Sequence, residues 1–153
     1  MTVIELATDI DAPVEVVFDL ARDLDLHARS MARTGERAVA GRTSGLAEAG
    51  DSVTWRARHF GIWWSLTSRI TTIERPVRFV DVQEGGPFAW FRHEHRFERL
   101  RGGTRMRDRW EHRSPLGPLG RVVDAAVLGR YMRRQLLVRN AALKAEAERR
   151  VHA

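Results

Sequence analysis

The middle of the chain constrains the fold most. From residue 36 to 113, apolar and polar residues alternate in six runs, 36–42, 52–60, 63–73, 77–83, 89–99 and 104–113, with no helical period among them. The runs are parted by Gly45 to Gly50, Phe60-Gly61, Glu74-Arg75-Pro76, Gly85-Gly86-Pro87 and Gly102-Gly103. Breaks this short join antiparallel neighbours, because a parallel pair needs a long crossover. A seventh run opens the chain, where Val3, Glu5, Ala7 and Asp9 alternate with Ile4, Leu6, Thr8 and Ile10.

Helical patterns flank this block. Asp11-Ala12-Pro13 with Glu15 in the first turn is helix-starting chemistry, and Val14, Val17, Phe18 and Ala21 form an apolar face that ends near Asp23. Leu24, Leu26 and Met31 mark a second short helical segment. From Pro118 to near Arg150, Leu, Ala, Arg and Glu dominate, with Gly120 and Gly129 interrupting. The order predicts an α+β fold in one domain over 1–153: a seven-stranded curved antiparallel sheet around a long C-terminal helix, with two short helices between strands 1 and 2.

Composition narrows the chemistry. The absence of cysteine removes disulfides, thiol nucleophiles and sulfur-ligated metals. No apolar run of about 18 residues is present, and the start lacks the plan of a signal peptide, so the expected location is cytoplasmic. The net charge of +6 invites a nucleic-acid reading. Yet Lys144 is the sole lysine, and the 25 arginines are scattered from Arg22 to Arg150 rather than gathered in a stripe, which disfavours nucleic acid as the partner.

Several segments resemble the polyketide cyclase/dehydrase-like branch of the START-like, helix-grip superfamily (SRPBCC proteins). They are Ile10 to Asp19, the WRARHFG run from Trp55 to Gly61, Phe79 to Gln83, Gly86-Pro87-Phe88 leading into Arg92 to Phe97, and Gly103 to Asp108. The resemblance runs nearly end to end. It implies a helix-grip fold with a deep, largely apolar cavity between sheet and C-terminal helix, and leaves the ligand open.

Strand parity indicates what faces that cavity. Arg92, Glu94, Arg96 and Glu98 share one face, so Phe91, His93, His95 and Phe97 point inward. The same reasoning turns Met106, Asp108 and Trp110, then Trp55 and His59, then Phe79, Asp81 and Gln83 inward. His95 falls opposite either Asp108 or Trp110, depending on hairpin register. His93 and His95 stand about 7 Å apart along a strand, which argues against a metal. On the long helix, Leu119, Val122, Val123, Ala126 and Leu137 fall near one face, with Arg130 projecting from its middle. Either a break or rotation at Gly129 turns Leu128, Met132 and Leu136 toward the sheet, or Arg130 reaches the cavity. An outward Trp63 or Trp90 points to a homodimer contact, a cation–π contact, or packing under the first loop.

The leading expectation is binding of a small hydrophobic molecule, of lipid, terpenoid or aromatic polyketide type, by a carrier or sensor without cofactor or metal. The alternative is a cyclase or dehydratase with His95 as base, Asp108 orienting it, and His93, Gln83 or Arg130 holding a carbonyl. A third reading places RNA or an acidic partner on the outward arginines 92, 96, 105, 107, 109 and 113. No nucleophile elbow, P-loop, dinucleotide fingerprint or zincin motif is present.

Overall fold

The computed structural model describes all residues, Met1–Ala153. Strand β1 (Thr2–Ile10) leads into helices α1 (Val14–Ala21) and α2 (Leu24–Ser30) and a 3-10 turn at Ala32–Thr34. Six strands follow: β2 (Arg37–Gly41), β3 (Ser52–His59), β4 (Ile62–Glu74), β5 (Arg78–Gly85), β6 (Trp90–Leu100) and β7 (Gly103–Arg113). They form one antiparallel sheet in the order β1-β7-β6-β5-β4-β3-β2. The seven runs of alternation are therefore the seven strands, with turns at the glycine-containing breaks and, between β4 and β5, at Arg75-Pro76.

A continuous C-terminal helix is built from α3 (Gly117–Val123), a π-helical turn (Asp124–Leu128) and α4 (Gly129–His152). The helix does not break at Gly129, but it rotates there: the π turn ends at Gly129, whose N–H donates to the Asp124 carbonyl. A π turn takes an extra residue into the spiral, so the faces before and after it no longer align. Leu128 and Met132 are half-buried and Leu136 is buried, whereas Arg130 is exposed and does not reach the cavity. The face read from Leu119, Val122, Val123, Ala126 and Leu137 is also exposed. What α4 buries instead is Leu136, Arg139, Asn140, Leu143 and Ala147.

Asp124 explains the turn. Its carboxylate accepts from His112 Nε2 at 3.1 Å and from the Ser114 hydroxyl at 2.5 Å, which ties the turn to the end of β7. Trp110 Nε1 donates to His112 Nδ1 at 2.7 Å, so the ring proton sits on Nε2, where Asp124 needs it. Gly120 lies so close to the Pro115 carbonyl that a side chain there would collide with it.

Two apolar clusters hold the layers together. One gathers α1 and α2, the inward residues of β3 to β7, and Leu143 and Ala147 of α4. At its centre Phe18, fully buried, meets Phe79 edge-on at 5.7 Å and Phe97 at 5.2 Å. The smaller cluster joins Ile4, Leu6, Phe91, Trp110 and Leu136. On the outer face, Arg92, Arg96, Arg105, Arg107 and Arg109 each pair with a carboxylate of the sheet. Arg113, the sixth of the outward arginines, is exposed at the end of β7. Trp63, 46% exposed, packs beneath the Arg56 guanidinium at 5.4 Å, while Trp90 stays at the surface. No helix is long and apolar enough to cross a membrane. Replacing Phe18 with Ala should cost about 3–5 kcal/mol in urea unfolding; a loss under about 1 kcal/mol would mean the aromatic cluster is not what fixes α1 to the sheet.

Candidate functional site

Between the sheet and α4 lies a cavity of about 500 Å³, within the range of small-molecule sites. Of its 36 lining residues, 21 are hydrophobic, so the interior is apolar over most of its surface. Both clusters contribute walls, the larger through Trp55, Ile70 and Phe79 and the smaller through Phe91, Trp110 and Leu136. Near the β3–β4 hairpin, the His59 Nδ1 atom is hydrogen-bonded to the Tyr131 hydroxyl, and the Phe60 and Tyr131 rings meet at 4.6 Å. This contact joins the hairpin tip to α4.

Four polar residues of this lining, Asp81, His93, His95 and Arg139, stand together. The β6–β7 register sets His95 opposite Asp108 and His93 opposite Trp110, and β5 sets Asp81 opposite His93. The side chains nevertheless bond diagonally: His93 Nε2 donates to Asp108 Oδ1 at 2.8 Å, and His95 Nε2 meets Asp81 Oδ1 at 2.9 Å. The direct partner of His95 is thus Asp81, while His95 Nδ1 stays 3.5 Å from Asp108. The His93 and His95 ring centroids lie 3.8 Å apart, far closer than strand spacing suggests, because both rings lean along the strand. Phe79 stacks on His95 at 4.0 Å and fixes its plane.

Helix α4 completes the cluster. Asn140 Nδ2 donates to Asp108 Oδ2 at 2.6 Å, and Arg139 stands 3.6 Å from Oδ1 while donating to the Ala21 carbonyl at 3.0 Å. Burial alone would raise the Asp108 pKa, but the His93 hydrogen bond and the His93 and Arg139 charges hold it well below the carboxylate range. Asp81 moves the other way, up, because burial outweighs its cationic neighbours. His95 lies well below the ordinary imidazole value, through burial first and then repulsion from His93 and Arg139. At neutral pH the cluster therefore holds an ionised Asp108 and a neutral His95.

Of the residues expected inward, Trp55, His59, Phe79, Asp81, Phe91, His93, His95 and Trp110 line the cavity. Asp108 stands behind His93, and Phe97 and Met106 belong to the core under α1. Gln83 holds the loop before β6, donating to the Phe88 carbonyl at 2.8 Å and accepting from its N–H at 3.3 Å. Arg130 is displaced by Arg139, nine positions later. His27, paired with Glu36 at 2.9 Å and packed 4.4 Å from Trp55, also lines the cavity and was not singled out by strand alternation, since it sits on α2. Asn140 and Arg139 were equally hidden, as polar residues in a helical stretch with no clear apolar stripe.

A family model described as "Polyketide cyclase / dehydrase and lipid transport" matches residues 1–148. The chain belongs to this family. Among solved structures it is similar to TTHA0849 from Thermus thermophilus, with a TM-score of 0.78 and 17% identity over 95% of this chain and 97% of that one. It is similar to a START superfamily protein from Mycobacterium smegmatis, at 0.72 and 13% over 96% and 97%. The Zhui aromatase/cyclase from Streptomyces sp. R1128 follows at 0.70 and 20% over 98% and 95%. At such identities the likeness is one of fold, the START-like helix grip. A search of curated proteins finds no match.

Outside the Asp81–His93–His95 group, two more histidines connect this family fold to pH. Burial lowers the pKa of His112, against the pull of Asp124, and burial likewise lowers that of His59. The folded-state values lie below the unfolded one of about 6.5, so the unfolded chain takes up protons first as pH falls. Stability present above about pH 6.5 is then lost below it. The melting temperature should drop from pH 7 to pH 5, with a shallower slope in His112→Gln; equal slopes would show that His112 does not carry the effect.

Proposed function

We propose that the protein binds one small, largely apolar molecule in the cavity between the sheet and α4, as a carrier or sensor. The observation that carries this is the cavity itself, about 500 Å³ and mostly hydrophobic, with a group of polar side chains, Asp81, His93, His95 and Arg139, set together in its wall. A lipid, terpenoid or aromatic polyketide with an apolar body and a hydrogen-bonding oxygen suits such a lining. The oxygen would lie against those four side chains, because burying it against the apolar wall would leave it unpaired at a cost of about 1–3 kcal/mol. Native mass spectrometry of the purified protein, followed by analysis of released small molecules, tests this directly. Near-unit occupancy by an apolar compound is expected, and Met132→Trp, which fills the cavity from α4, should reduce uptake at least about tenfold by excluding the ligand from space it needs. Full uptake by that variant would place the ligand elsewhere.

A cyclase or dehydratase reading draws on the same polar cluster, and on the likeness to a protein named as an aromatase/cyclase. Here Asp81 orients His95, whose ring lines the cavity, and Asp81 moves aside to free the His95 Nε2 atom for a bound polyketone. His95→Gln separates the two readings. A carrier loses about one hydrogen bond, 0.5–1.5 kcal/mol of affinity, whereas an enzyme acting through His95 loses turnover of a poly-β-ketone surrogate altogether.

A further inference from the structure

At the polar end of the cavity two carboxylates, Asp81 and Asp108, stand against two imidazoles, and one buried nitrogen has no partner. His95 Nδ1 is shielded from solvent and makes no hydrogen bond. Its polar neighbour is Asp108 Oδ1 at 3.5 Å. When His95 donates from Nε2 to Asp81, the Nδ1 lone pair looks at a carboxylate oxygen, which is repulsive. A positive species between Asp81 and His95 Nε2 removes this fault. It takes the Nε2 lone pair, moves the ring proton to Nδ1, and turns the orphan into a donor aimed at Asp108.

A proton on Asp81 or a metal ion can play that part, and two observations favour the metal. One nitrogen of His93, one of His95 and one oxygen of Asp81 all lie within 4.8 Å of one another. A tetrahedral ion with bonds of about 2.0–2.2 Å holds its ligands about 3.4 Å apart, so the 2.9 Å Asp81–His95 pair opens slightly and His93 closes on them. Behind the ligands, Asp108 is bonded to His93 at 2.8 Å and is itself held by Asn140 at 2.6 Å. A carboxylate held behind a histidine is the outer-shell arrangement that fixes ring orientation at metal centres.

We propose that Asp81, His93 and His95 bind one divalent first-row transition ion of the zinc type, with a further position open to the cavity. That position takes water or an oxygen of the bound molecule, so the ion recognises a carbonyl or hydroxyl at the end of an apolar body. The proposal stands apart from the apolar-ligand reading, since the metal is tested alone.

The test uses the full chain without an affinity tag, stripped by a chelator and titrated with Zn²⁺ by calorimetry and with Co²⁺ by visible absorption. One equivalent of each should bind, and Co²⁺ should give the absorption of a low-coordinate nitrogen–oxygen site. Asp81→Asn and His95→Gln should each weaken binding at least about tenfold. His152→Gln, at an exposed pair with Asp11, should change nothing. Uptake that survives the Asp81→Asn/His95→Gln double variant overturns the proposal, as does the absence of stoichiometric uptake, which would mean that a proton alone fills the gap. Imidazole nitrogen spectra of the wild-type chain remain decisive if a variant fails to fold: Zn²⁺ must move the His93 and His95 resonances together, and an unmoved pair refutes the site. Uptake of an apolar ligand by the stripped chain reports separately on the cavity.

Discussion

Asp108 is the group around which the interior is arranged. A carboxylate with no solvent exposure is expensive unless every side of it is answered, and here the answers come from two different layers. His93 arrives from the neighbouring strand, Asn140 and Arg139 from the helix. Apolar packing would let α4 slide along the sheet at little cost, since Leu and Ala faces are forgiving. A hydrogen-bonded charge is not. The carboxylate therefore fixes the register of helix on sheet, and with it the shape of the space between them. Arg139 extends this fixation to a third element, because its other end donates to the Ala21 carbonyl at the close of α1.

This division of labour accounts for the cavity. The helix meets the sheet at Asp108 and again at the β3–β4 hairpin, through His59 and Phe60 against Tyr131, and the cavity lies between these contacts. Apolar side chains such as Leu128, Met132 and Phe88 line the gap without filling it. The outer face contributes little to this geometry. Its arginines are paired with carboxylates on the same surface, and exposed pairs of that kind are each worth under about 1 kcal/mol.

The sheet was legible because strands write themselves with a period of two, and because arginines alternating at 92 and 96, then at 105, 107 and 109, declare which side is wet. That parity placed His93, His95, Asp81 and Trp110 inward. Parity does not say which imidazole meets which carboxylate. Side chains lean along the strand, so cross-strand register and bonding partner diverge, and Asp108 went to His93 although it faces His95. The helix was less legible for a physical reason as well. Apolar periodicity is the signal for a buried face, and this face buries Arg139 and Asn140 at its centre while Leu119 and Val122 stand in solvent. The residue count of the π turn then shifted the phase, so the face extrapolated from Leu119 and Val122 pointed to Arg130, and Arg139 went unnoticed.

That turn makes chain length, more than composition, the constrained quantity between α3 and α4. Each residue of an α-helix advances the spiral by about 100°. Removing one residue from Asp124–Leu128 would restore a regular helix and swing everything after it by about that angle. Arg139 and Asn140 would then leave Asp108, whose charge would remain buried with half its partners gone. Substitutions inside the segment can be absorbed if Asp124 keeps its hold on His112, but a deletion there changes what the distant end of α4 presents to the sheet.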